Sequence, residues 1–135
     1  MTRRPAPVDF AARLHAEAAY AVRCRVDALP ASVNALYRQA GRGRKVLSDA
    51  AVLFRDLVAL AVRGEPPPPA GEPLELSIWL TFPDGRTRDG DNFVKNATDS
   101  LAAALGFNDT RIVAWHIYVE RGAVAETELL LEVRG

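Results

Sequence analysis

The sequence predicts an α/β fold of the α+β kind: a small mixed β-sheet of about four strands packed with two main helices. Three observations lead there. Short runs at residues 20–28, 74–82 and 125–133 alternate apolar and polar side chains, the period of a strand with one buried face. Two longer stretches, after Ser48 and after Asp91, repeat apolar residues at helical spacing and stop at Gly64 and Gly106. At 135 residues the chain is sized for a single domain, whose core can bury roughly two thirds of the unfolded surface.

Each element follows from its residues. Residues 8–19 are expected to form a short helix with Phe10 and Leu14 on one face. In YAVRCRVDA, Val22, Cys24 and Val26 take one side and Arg23, Arg25 and Asp27 the other. LPASVNALYRQAGRGRK reads as a loop with one turn of helix at most. Ser48 can cap the next helix, with Leu47 packing on Val52 as a hydrophobic staple. Ala51, Phe54, Val58 and Val62 then share a face as far as Arg63. EPPPPAGEP can neither continue a helix nor pair in a central strand, so it is a stiff surface connector.

In LELSIWLTF, Leu74, Leu76, Ile78 and Leu80 lie opposite Trp79 and Thr81. PDGRTRDG is a polar loop, and a helix is expected from about Asp91 to Leu105 with Gly106 as its left-handed cap. The strands RIVAWHIYVE and AETELLLEV, joined through Gly122 and Ala123, read as a hairpin, although RGAV lacks the strongest turn chemistry.

Composition narrows the function. No run approaches the roughly 20 apolar residues that span a bilayer. The start carries Asp9, Arg13, His15 and Glu17 where a signal peptide needs an apolar stretch. The expectation is a soluble, cytoplasmic protein. Cys24 is the single cysteine, which excludes an internal disulfide and a cysteine-based zinc site. His15 and His116 have no neighbour at metal-ligand spacing. The formal charge is zero, but unevenly laid out: eleven basic and five acidic residues up to Arg63, six basic and twelve acidic from Gly64. Residues 29–47 hold Arg38, Arg42, Arg44 and Lys45 with no carboxylate. Such a chain can set a cationic surface beside an acidic pocket.

The acidic part centres on TRDGDNFVKNATD. Asp91, Lys95 and Asp99 follow at i, i+4 and i+8 and form one polar face, with Phe93, Ala97, Leu101 and Ala104 opposite. Two readings fit. Asp89 or Asp91 caps the helix and Asp91–Lys95 is an exposed pair; or Asp89 and Asp91 face one hard cation, Mg²⁺ or Mn²⁺, which takes all-oxygen ligands. In the second, Lys95 would face a phosphate or the charge developing on it, and Asp109, just past the helix, would supply a third acid. A calcium loop of EF-hand type is disfavoured, since the D-x-D lacks the required Gly and Glu.

The run Arg88-Asp89-Gly-Asp91-Asn92-Phe-Val-Lys95, then Asp99 and Leu101, with Phe107-Asn-Asp109-Thr-Arg-Ile112 downstream, resembles the signature of the RusA-type Holliday junction resolvases. That signature is RDxDNxxKxxxDxL followed by an acidic pair and an aliphatic residue. Leu29-Pro-Ala-Ser-Val-Asn34-Ala-Leu-Tyr37-Arg38, then Ser48 and Phe54-Arg55, is similar to the family's P-P-x-x-N-x-x-Y…S…(F/Y)R segment.

The resemblance implies a homodimeric Mg²⁺- or Mn²⁺-dependent endonuclease that cuts four-way DNA junctions, acting in DNA recombination and repair. Its metal ligands would be Asp89, Asp91 and Asp109, its catalytic lysine Lys95. Asn34, Tyr37, Arg38, Arg42, Arg44, Lys45 and Arg88 would contact DNA. Two departures stand out: Asn108 replaces the first acid of the downstream pair, and residues 1–20 form an extension ahead of the family's usual start. Other branched DNA as substrate, or a non-catalytic DNA- or protein-binding module of the same fold, are the alternatives.

Overall fold

Alternating strands persist only where their apolar sides find cover. In the computed structural model, which describes residues 19–85 and 88–134, the elements run β1 (Ala21–Val26), β2 (Tyr37–Gln39), β3 (Lys45–Leu47), α1 (Asp49–Ala61), β4 (Leu74–Phe82), α2 (Val94–Leu105), β5 (Ile112–Arg121) and β6 (Glu126–Val133). Short 3-10 turns lie at Val33–Ala35, Gly90–Phe93 and Asp109–Arg111. A four-stranded mixed sheet has the order β1-β6-β4-β5, and β2 and β3 form a second, two-stranded one. β4 runs parallel to β5 and antiparallel to β6. The expected α+β class, with two main helices, is therefore borne out. The helix expected at residues 8–19 lies, but for Ala19, outside the described residues.

The core forms between the sheet and the helices. Val22, Cys24 and Val26 point inward from β1 as their alternation requires, as do Leu74, Leu76, Ile78 and Leu80 from β4. Phe54 and Val58 of α1 and Ala97 and Leu101 of α2 close over them. Ser48 caps α1, its Oγ accepting the Ala51 N–H at 3.2 Å. Leu47 packs against a small separate cluster of Ala31, Leu36 and Ala51. Gly106 ends α2 with φ 75°, its N–H donating to the Ala102 carbonyl at 2.9 Å.

Two expectations are corrected. β5 and β6 are not a hairpin: β6 lies between β1 and β4, and β5 takes the outer edge beside β4. β6 pairs with both neighbours and buries Thr127 to Leu131 consecutively, whereas the edge strand β1 buries only alternate residues. The crossover through α2 supplies the connection that parallel β4 and β5 need. The expected loop at residues 29–45 also contains a ladder, with Tyr37 facing Leu47 and Gln39 facing Lys45. Its turn is possible because Gly41 and Gly43 take φ of 99° and 60°.

Candidate active site

The chain leaves β4 and enters the 3-10 turn at Gly90–Phe93 before α2 begins at Val94. Phe93 anchors this turn, edge-on to Phe82 with ring centroids 5.2 Å apart. Gly90 is its second anchor. A Cβ there would stand 2.8 Å from Cγ2 of Val119 and 2.9 Å from Cγ2 of Ile117, so the backbone lies directly on β5. Asp89 and Asp91, on either side, are left exposed. The Asp89 carboxyl is pushed up from the ordinary carboxylate value, first by a hydrogen bond with the Asp91 carboxyl and then by repulsion from its charge. Two acids held this close favour a proton or a cation between them.

Lys95 stands one turn into the helix. Its Nζ donates to the Asp99 carboxylate at 3.0 Å, so the exposed ion pair is Lys95–Asp99 and not Asp91–Lys95. That bond and the charge of Asp99 raise the lysine above its usual value, and the Tyr37 phenol and the Asp109 carboxylate raise it further. Asp109 opens the 3-10 turn after α2. Asn108 caps that turn: its Oδ1 accepts from the Thr110 N–H and the Thr110 hydroxyl, both at 2.9 Å. The residue that replaces an acid thus has local work that needs no charge.

The structure brings Asp89 to Asp91, and Tyr37 and Asp109 to the surroundings of Lys95. Among the described residues it gathers no three His, Cys, Asp or Glu side chains around one point.

The segment leading into the basic hairpin stands beside this site: its Val33–Ala35 turn touches the acidic turn at Gly90–Phe93. Asn34, Tyr37, Arg38 and Lys45 line a cleft of ≈ 160 Å³. Arg42 lies at the hairpin tip between the two left-handed glycines. Between the hairpin and α1 runs a groove of ≈ 830 Å³ with Arg38, Arg44 and Arg55 on its walls and Asp49 and Asp56 among its lining. Arg55 was not among the expected DNA contacts. Helical phasing marks it only as polar, and it joins the basic surface because the hairpin folds over α1. Arg88 is tied down locally: its guanidinium bonds the Asp84 carboxylate and lies 5.1 Å from the centre of the Phe82 ring.

The family model described as Endodeoxyribonuclease RusA matches residues 28–132. No curated protein matches the chain. The matched span includes the acidic turn, Lys95, Asp109 and the whole basic hairpin, and it starts after residues 1–20.

Proposed function

Because the chain belongs to the RusA family of endodeoxyribonucleases, whose activity is the resolution of Holliday junctions, we propose that it is a metal-dependent, structure-specific nuclease that hydrolyses phosphodiesters in four-way DNA junctions. The carrying observation is a carboxylate pair and a lysine on consecutive turns of the chain, touched by the Val33–Ala35 turn that leads into the basic hairpin. The donor set fits a hard cation: Asp89 and Asp91 are oxygen ligands already crowded against each other, and Mg²⁺ or Mn²⁺ would relieve that repulsion. Asp109 is the third ligand in this reading. Bound there, the ion would polarise the scissile phosphate and lower the pKa of its water.

The chain's own residues do the rest. Lys95, kept protonated by its acidic surroundings, exchanges Asp99 for a phosphate oxygen and steadies the charge that develops there. Asn34, Tyr37, Arg38, Arg42, Arg44 and Lys45 hold the backbone of the arms, and Arg88 braces the loop through Asp84 and reaches DNA only at its exposed edge. The reaction belongs to DNA recombination and repair in the cytoplasm; no helix among the described residues is long and apolar enough to cross a membrane.

A four-way junction needs two cuts, and its near two-fold symmetry asks for a C2 homodimer. β4 and β6 are the two interior strands of the sheet and offer a partner no edge. Among the described residues the sheet ends in two edges of unlike character. β1 is six residues long and guarded by Arg23 and Arg25, paired to Glu128 and Glu126 at 3.6 and 3.4 Å. β5 is ten residues long and exposes Val113, Trp115, Tyr118 and Val119. A long apolar edge invites strand pairing, so the dimer is assigned to β5.

One experiment separates the readings: labelled four-way junction, flap, duplex and single strand, each with Mg²⁺ and with EDTA. Paired nicks in the junction alone, abolished by EDTA, are expected. Equal cutting of flaps supports the broader branched-DNA substrate, and binding without cleavage supports the non-catalytic module.

A further inference from the structure

Asn96 follows Lys95 in sequence but points the other way. Lys95 is exposed, whereas Asn96 is 2% exposed. A buried amide persists where its polar atoms are matched, and here the match crosses the molecule. Asn96 Oδ1 accepts the backbone N–H of Ala31 at 2.8 Å, across 65 positions of sequence. Its Nδ2 donates to Ser100 Oγ at 3.5 Å, one turn along the same helix. Ala31 lies near the start of the basic segment, residues 29–47.

Five residues on, the same segment is held again. Leu36 is buried against Ala31 and Ala51, and its carbonyl accepts the Ser48 N–H at 2.8 Å. The stretch carrying Asn34 is therefore fastened at one end to the helix of Lys95 and at the other to the cap of α1. Tyr37 comes immediately after the second fastening, near enough to Lys95 to influence its protonation.

We infer that Asn96 is a positioning residue: it fixes the register of the basic segment on α2, so that a backbone gripped by Arg38, Arg44 and Lys45 passes Lys95 and the acidic turn. This rests on the DNA-cleaving reading above. An apolar side chain could fill the same space, but only a directional acceptor ties the Ala31 N–H to α2. The competing view is that Asn96 is a satisfied core amide with no bearing on DNA.

The two views differ in a quantity that an uncharged residue should not touch. The slope of log K against log salt counts phosphate contacts. Asn96→Leu and the milder Asn96→Ala remove the acceptor without removing a charge. Asn96→Gln keeps an uncharged amide acceptor and is the conservative control. Junction affinity is measured in EDTA over a series of salt concentrations, at a temperature where thermal melts show each variant folded.

Asn96→Leu and Asn96→Ala should weaken binding on the order of tenfold and flatten the slope by roughly 1–2 units, as the hairpin cations lose their place. Asn96→Gln should keep more of the wild-type slope than either. An unchanged slope in the folded loss variants, whatever their melting temperature, overturns the proposal. So does equal loss in all three. Since no cleavage is scored, steep binding by a protein that never cuts with Mg²⁺ removes the nuclease reading alone. Salt-independent binding by the wild type removes both.

Discussion

Gly90→Ala is the smallest perturbation that tests how the acidic turn is seated. Gly90 is not among the glycines with positive φ, so alanine is no strain on the backbone there and any effect comes from packing. The added methyl would meet Val119 Cγ2 at 2.8 Å and Ile117 Cγ2 at 2.9 Å. Both are β-branched side chains on a strand and stiff at χ1, so the turn must lift or β5 must give. Overpacking of this kind costs about 1–3 kcal/mol, a fall in Tm of roughly 3–15 °C for a domain of this size. Asp89 and Asp91 flank the lifted residue, so turnover should fall further than junction affinity. Val119→Ala removes the nearer methyl, and the double variant should recover part of both losses. The assay is a thermal melt at fixed protein concentration beside single-turnover cleavage. A Gly90→Ala protein that melts within about 1 °C of wild type and cuts normally would show that the turn does not rest on β5.

Other outcomes follow from the same geometry. Asp89→Asn, Asp91→Asn and Asp109→Asn should each lose most turnover while junction binding survives or tightens; parallel loss of binding in all three would refute the ligand assignment. Lys95→Ala should abolish cleavage at saturating DNA without unfolding α2, because the exposed pair with Asp99 is worth only about 0.3–0.5 kcal/mol, whereas Lys45→Ala should mainly weaken binding. Neutralising Arg38, Arg42 and Arg44 together should flatten the salt slope by roughly 2–3 units, and an unchanged slope would place the cationic surface elsewhere. Burial pushes the Cys24 thiol up to about 11, so the folded state keeps its proton to higher pH than the unfolded chain. Its contribution is whole below about pH 9 and is lost as pH rises toward about 11; urea unfolding across that window should show a decline that Cys24→Ala lessens.

What could be read from the sequence was what is local. The inward sets Val22, Cys24, Val26 and Leu74, Leu76, Ile78, Leu80 follow from a period of two, and Ser48 and Gly106 are end signals that need no tertiary context. Strand order is different. It depends on which strand must be covered on both sides, and the buried run from Thr127 to Leu131 carries that information only once the helices are known to lie on one face. Three-residue strands such as β2 and β3 hold too little alternation to register at all. The mistaken ion pair has a sharper cause. Asp91 lies in a 3-10 turn and Lys95 in the helix proper, so the i, i+4 phase that would join them breaks at Phe93. Asp99, one clean turn beyond, takes the lysine instead.

The same limit explains why hydrophobic periodicity shows two faces on α2 where the structure has four. Ala97, Leu101 and Leu105 enter the main core, and Lys95 and Asp99 face solvent. Asn96, Thr98 and Ser100 are polar yet buried. Asn96 meets the basic segment, and Thr98 Oγ1 accepts the indole N–H of Trp115 at 3.2 Å, fastening the helix to β5. Hydrophobic periodicity counts such residues as surface, because it registers transfer free energy and not the directional bonds that make a buried polar group tolerable. α2 therefore joins three separate pieces: the basic segment through Asn96, the edge strand through Thr98, and the charged row through Lys95. Because these leave the helix in different directions, changes at Lys95 and Asp99 should leave its seating intact, while a change at Asn96 should move DNA affinity with no charge altered.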